Sequence, residues 1–69
     1  MPPVLKPEHI IKGLEGNGFL YVSQRGSHRK YRKEERTVIV PMHYEVAKGT
    51  LRSILDQAGL TIEQLVRYI

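Results

Sequence analysis

Apolar and polar positions alternate with two different periods along this chain, helical at both ends and strand-like between them. Ile10, Ile11 and Leu14 recur at i, i+1 and i+4 and so form one stripe of a helix. Pro7 suits a first helical turn, Glu8 suits the positive end of the helix dipole, and Gly16-Asn17-Gly18 accepts the left-handed conformation of a C-terminal cap. The pattern predicts a helix from Pro7 to Glu15, preceded by a loose lead-in over residues 1–6. Phe19 to Gln24 reads F-L-Y-V-S-Q, rich in aromatic and β-branched residues, and predicts a strand. Gly26 breaks it, and Ser27 to Arg32 follows as a second strand. Thr37 to Val40 is the clearest strand of the chain, stopped by Pro41. Between the last two, Lys33-Glu34-Glu35 lacks the Gly or Asn that a two-residue hairpin prefers, which leaves the turn type open.

Helical period then returns. Leu51, Ile54, Leu55 and Ala58 are spaced i, i+3, i+4 and i+7, and Gly59 closes that helix. Thr61 and Gln64 form a T-x-x-Q capping box ahead of Ile62, Leu65, Val66 and Ile69, which predicts a short third helix. The fold class is therefore α+β, in the order α-β-β-β-α, with a three-stranded antiparallel meander. Helices covering one sheet face would leave the other to solvent. Strand parity says which side chains that open face carries. Tyr31 is the one large apolar residue of the second strand, so Ser27 and Arg29 share its helix side, and His28, Lys30 and Arg32 point outward. A bulge at Gly26 would shift that parity.

Composition narrows the setting. The 69 residues suit one small domain over the whole chain, and a chain of this size buries only about 60% of its unfolded surface. With Cys 0 there is no disulfide framework and no thiolate zinc site. The start M-P-P-V-L-K-P has no apolar signal region, and no apolar run approaches the ~20 residues of a membrane span. A cytoplasmic protein is expected. So small a core also leaves room for a partner to add stability.

Charge changes the picture most. Arg25 to Arg36 holds six of the 11 Lys+Arg and two of the 7 Asp+Glu. The remaining five bases and five acids balance, so the net charge of +4 belongs wholly to this segment. His28 lies inside it, directly after Gly26-Ser27. Clustered cations attract a polyanion, and imidazole is the side chain whose unperturbed pKa, roughly 6.5, suits proton transfer at neutral pH. Spacing alone fits equally well a surface histidine in a solvated basic strand. His43, after the third strand, is a second candidate for proton transfer, although a structural loop histidine is the simpler reading; His9 reads as a partly packed helix residue. The three histidines are not at helical metal-ligand spacing and no carboxylate completes a set, so no metal or other cofactor is expected. Tyr21 and Tyr31 are expected in the core rather than as base-stacking platforms.

Four motifs together carry a resemblance: Asn17-Gly18-Phe19, Gly26-Ser27-His28, Val40-Pro41-x-His43, and the run Gly49-Thr50-Leu51-Arg52-Ser53-Ile54-Leu55-x-x-Ala58-Gly59-Leu60. Over about Pro7 to Tyr68 the chain resembles the HicA-type (YcfA-like) mRNA interferase toxins of bacterial and archaeal toxin–antitoxin pairs. The resemblance implies a double-stranded-RNA-binding-like fold, mRNA cleavage independent of translation by a histidine that falls on His28, and neutralisation by a HicB-type antitoxin. It also selects the catalytic reading of His28 over the surface one. The chain departs from the commoner pattern at Lys33-Glu34-Glu35-Arg36, where many relatives carry Pro or Gly. On this reading Ser27, Arg29, Lys30, Arg32 and Lys33 contact RNA, with Ser27 chiefly shaping the Gly26 turn, and the free toxin is a monomer. The alternatives are a non-catalytic RNA-binding module using the same basic face, and a purely structural subunit whose basic face meets an acidic protein.

Overall fold

In the computed structural model, which describes residues 5–69, the first apolar stripe becomes α1, Pro7–Gly16, with Ile10, Ile11 and Leu14 buried beneath it. Of the expected lead-in, positions 1–4 lie outside the described residues. Leu5 is buried, and its carbonyl accepts the Val46 N–H at 2.8 Å in an antiparallel bridge. At the far end of α1, Gly18 takes the left-handed conformation (φ 94°), whereas Asn17 does not (φ −91°). A residue without Cβ adopts positive φ with little steric cost, and Asn17 is used otherwise. Its Nδ2 donates to Gly13 O at 2.7 Å and to Gln64 O at 3.0 Å, which ties the end of α1 to the last helix.

Three strands follow: β1, Leu20–Arg25; β2, His28–Lys33; and β3, Arg36–Pro41. They form one antiparallel sheet in the order β1-β2-β3, each strand displaced by about a residue from its expected bounds. Two tight turns set the register. Arg25 pairs with His28 across Gly26-Ser27, and Lys33 pairs with Arg36 across Glu34-Glu35. Gly26 supplies positive φ (59°) in the first turn. Glu34 supplies it in the second (φ 55°), and Glu35 does not, which excludes a type I′ turn. Arg32 Nε donates to Glu34 O at 2.9 Å and so steadies a turn that lacks glycine.

The sheet has its bulge in β1 rather than at Gly26. Tyr21 pairs with Tyr31, but the next partner of Lys30 is Ser23, so Val22 is the extra residue. The parity of β2 is undisturbed. Burial along it reads exposed, half-buried, exposed, buried, exposed, exposed, with Tyr31 at 2% exposure. Val38 and Val40 share the side of Tyr31 and are fully buried against Ile10, Leu14, Ile54 and Leu65.

The remaining helices are α2, Lys48–Ala58, and α3, Ile62–Val66. Gly59 ends α2 with φ 68°, and the Thr61–Gln64 capping box starts α3 with bonds of 2.8 and 3.2 Å. α2 lies along β3, where Gln57 Oε1 accepts the outward-facing Ile39 N–H at 3.0 Å and so seals that sheet edge. α3 meets α1 at Gly13, where a Cβ would stand 2.5 Å from Leu65 Cδ1. Among the described residues no helix comparably covers β1, all six of whose residues are exposed. This corrects the expectation for Tyr21. It shares the side of Tyr31, with rings 6.1 Å apart and edge-to-face, but is 56% exposed because β1 overhangs the packed helices.

Candidate nucleic-acid interface

Cross-strand register assembles the open face of the sheet. β2 contributes His28, Lys30 and Arg32, all exposed. From β1, Arg25 stands opposite His28, Ser23 opposite Lys30 and Leu20 opposite Arg32. From β3 come Pro41, Ile39 and Thr37 in the same rows. Directly opposed side chains start from Cβ atoms about 4.5–5.5 Å apart, and alternate residues of one strand lie roughly 7 Å apart. Arg25 is therefore the cation nearest to the His28 imidazole by backbone placement, and Lys30 follows along the strand. Sequence reasoning missed Arg25. The signal was present: Gly26-Ser27 read as a two-residue hairpin loop places residues 25 and 28 side by side.

The same basic segment sends its other cations elsewhere. Arg29 is half-buried; its Nε donates to Gln24 Oε1 at 2.9 Å, and its guanidinium lies 5.8 Å from the Tyr21 ring centroid. Gln24 Nε2 in turn donates to Gly26 O at 2.8 Å, so Arg29 and Gln24 brace the hairpin that presents His28. Lys33 Nζ donates to Asn17 O at 2.7 Å and lies 6.0 Å from the Phe19 ring centroid, at the C-terminal end of α1. Arg36 donates to Gln57 O at 3.3 Å, at the end of α2. A cation near exposed helix carbonyls is electrostatically favourable there. Among the described residues, Arg25 and Lys30 donate no side-chain hydrogen bond to the protein, and Arg32 commits only its Nε.

Of the residues expected to contact RNA, the structure thus brings Lys30 and Arg32 onto the face of His28. Ser27 sits in the turn, where its carbonyl accepts the Met42 N–H at 2.6 Å. Arg29 and Lys33 lie on the other side of the strand. His43 is exposed in the loop after β3, two positions beyond Pro41, and packs edge-to-face on Tyr44 with ring centroids 5.1 Å apart. His9 is on α1, where its Nδ1 accepts the Lys6 N–H at 3.4 Å, apart from the open face.

Chemically, the arrangement offers one exposed imidazole among cations on a flat surface. Such a surface suits a phosphodiester backbone better than an enclosed small molecule. No group of three or more His, Cys, Asp or Glu among the described residues is placed to hold a metal ion. No helix among them is long and apolar enough to cross a membrane. A family model described as the HicA toxin of bacterial toxin–antitoxin systems matches residues 8–60, from the first turn of α1 to just beyond α2. No curated protein matches the chain.

Proposed function

Because the chain belongs to the HicA toxins of bacterial toxin–antitoxin systems, we propose that it acts as an endoribonuclease that cuts mRNA on the open face of its sheet. RNA carries its own nucleophile. His28 removes the proton of a 2′-hydroxyl, the 2′-oxygen forms a bond to the adjacent phosphorus, and the bond from phosphorus to the 5′-oxygen breaks. The departing 5′-oxygen takes a proton from water and His28 returns its own to solvent, which leaves a 2′,3′-cyclic phosphate and a 5′-hydroxyl. No metal is required for this step. A positioned imidazole contributes about 10²–10⁴-fold, and Arg25 and Lys30 stabilise charge that builds on the phosphate oxygens.

The observation that carries this reading is the exposure of His28 on the face that also carries Arg25, Lys30 and Arg32. Those cations hold phosphates of the RNA backbone without reading bases, so affinity falls steeply with added salt. A cytoplasmic enzyme of this kind damages its own cell, and the family implies a cognate antitoxin. The partner is a HicB-type protein whose acidic surface covers His28, Lys30 and Arg32, since opposite charge speeds capture. Free of it, the toxin is a monomer.

Cleavage gels on purified protein test the chemistry. With chelator present the wild type should still cut, and His28→Ala should bind RNA yet lose cleavage by about 10²–10⁴-fold. A substrate with a single 2′-deoxy sugar at the cut position should bind and resist scission there. Scission at the deoxy position would require a water nucleophile and remove the proposed role of His28. Undiminished cutting by His28→Ala would remove it as well. RNA that binds wild type and is never cut would favour a binding module.

A further inference from the structure

The loop after β3 holds an aromatic side chain in a costly position. Tyr44 has φ 65°, a left-handed conformation that a bulky residue rarely adopts, and it is 86% exposed. Its burial therefore cannot repay the strain. A strained residue persists where its surroundings over-determine it, and such residues cluster at ligand sites. The loop is anchored on both sides of this position. Met42 N–H donates to Ser27 O at 2.6 Å, immediately before His28, and Val46 N–H donates to Leu5 O at 2.8 Å. Tyr44 is the apex between the two anchors.

The ring of Tyr44 is only slightly covered by its neighbours. His43 packs on it edge-to-face at 72°, and in such a pair at most one face of either ring is covered, so Tyr44 keeps a free face. Tyr44 walls a cleft of about 200 Å³ with Pro41, His43, Val46 and Thr50. Pro41 is the strand partner of His28, so the cleft borders the candidate cleavage site. Tyr44 lies three positions beyond Pro41, a reach of at most about 11 Å.

We propose that Tyr44 is a stacking platform for one unpaired base of the RNA strand whose phosphate lies at His28. This rests on the ribonuclease reading above. Single-stranded RNA is recognised by splaying a base onto an aromatic ring, and every base offers a π-face for it. The cations of the sheet hold backbone phosphates, and the platform fixes how the strand is threaded past the imidazole. His43 acts here as a positioning residue that holds the ring upright.

The chain has Trp 0, so Tyr44→Trp makes a single fluorescent reporter at the site. In the full chain carrying His28→Ala, to prevent cutting, a short single-stranded RNA should quench that fluorescence as it binds. An RNA with an abasic sugar at the stacked position should bind without quenching. Tyr44→Gly should weaken RNA binding about 5- to 150-fold, the span expected for one stacked base, and Tyr44→Phe should retain affinity. Because Gly accepts φ 65°, Tyr44→Gly should also unfold at a higher temperature than wild type, which separates lost function from lost fold. RNA that binds and is cut normally by Tyr44→Gly, or that binds Tyr44→Trp without quenching, overturns the platform and leaves the ribonuclease reading standing. An effect of Tyr44→Gly on antitoxin binding with RNA binding unchanged overturns it in favour of a protein contact. Wild type that binds no RNA at all removes both.

Discussion

The two sides of β2 put the same chemistry to opposite uses. On the helix side, Arg29 and Lys33 flank the buried Tyr31, and each is tied to a protein acceptor, Gln24 Oε1 or Asn17 O. On the open side, His28 and Lys30 are exposed, and Lys30 donates to no acceptor among the described residues. Neighbours in sequence therefore differ more in duty than residues two apart. Net charge locates a basic segment, but strand parity decides which of its cations brace the fold and which remain available to a polyanion. Arg32 stands between the two classes, on the open side but with Nε bonded to Glu34 O.

The most severe way to test that division is to remove its buried member. Tyr31→Ala leaves a large cavity beneath the sheet and should cost about 3–5 kcal/mol, as loss of a buried aromatic does. That is much of the stability of a small domain. Thermal unfolding should show little folded protein at 37 °C, and a well-folded variant would mean that the helix side is not the core. His28→Ala, three positions earlier in the same strand and on its other side, should leave the unfolding midpoint unchanged while cleavage is lost.

A finer test compares two lysines of the same strand. Lys33→Ala should lower stability by less than about 1 kcal/mol, the ordinary scale of an exposed charged contact, and leave the salt dependence of RNA binding as it was. Lys30→Ala should leave stability unchanged. It should reduce the slope of log affinity against log salt by about 0.7, one phosphate contact on a single strand. The two variants exchanging these effects would invert the parity. The smallest change is expected in β1. Leu20 is 72% exposed, so Leu20→Ser should alter stability by no more than about 0.5 kcal/mol. A much larger loss in the isolated protein would show that β1 is better covered than its exposure indicates.

How much of this was legible in advance differs from residue to residue. The buried stripe Ile10, Ile11, Leu14 followed from period alone, and so did the split of β2 into His28, Lys30 and Arg32 against Tyr31. The Thr61–Gln64 box and the Gly59 stop were equally local. Arg25 is readable only once Gly26-Ser27 is taken as a two-residue turn, because the Gly-Ser-His motif itself lies wholly after Arg25. Tyr44 carried no sequence signal: a tyrosine in a short polar loop says nothing of its φ.

The order α-β-β-β-α, the parity of β2, the basic segment around His28 and, through spaced motifs, the family all follow from local pattern along the chain. Each depends on interactions within a few residues, where side-chain period and turn chemistry act directly. Tertiary structure alone decided the rest: that Tyr21 is uncovered, that the bulge falls at Val22, that Lys33 serves α1, and that Gln57 seals β3. Those outcomes rest on contacts between segments far apart in the chain, such as Lys33 with Asn17 and Ile39 with Gln57. Local pattern says which side of a strand is apolar. Only packing decides how far along that side the helices reach.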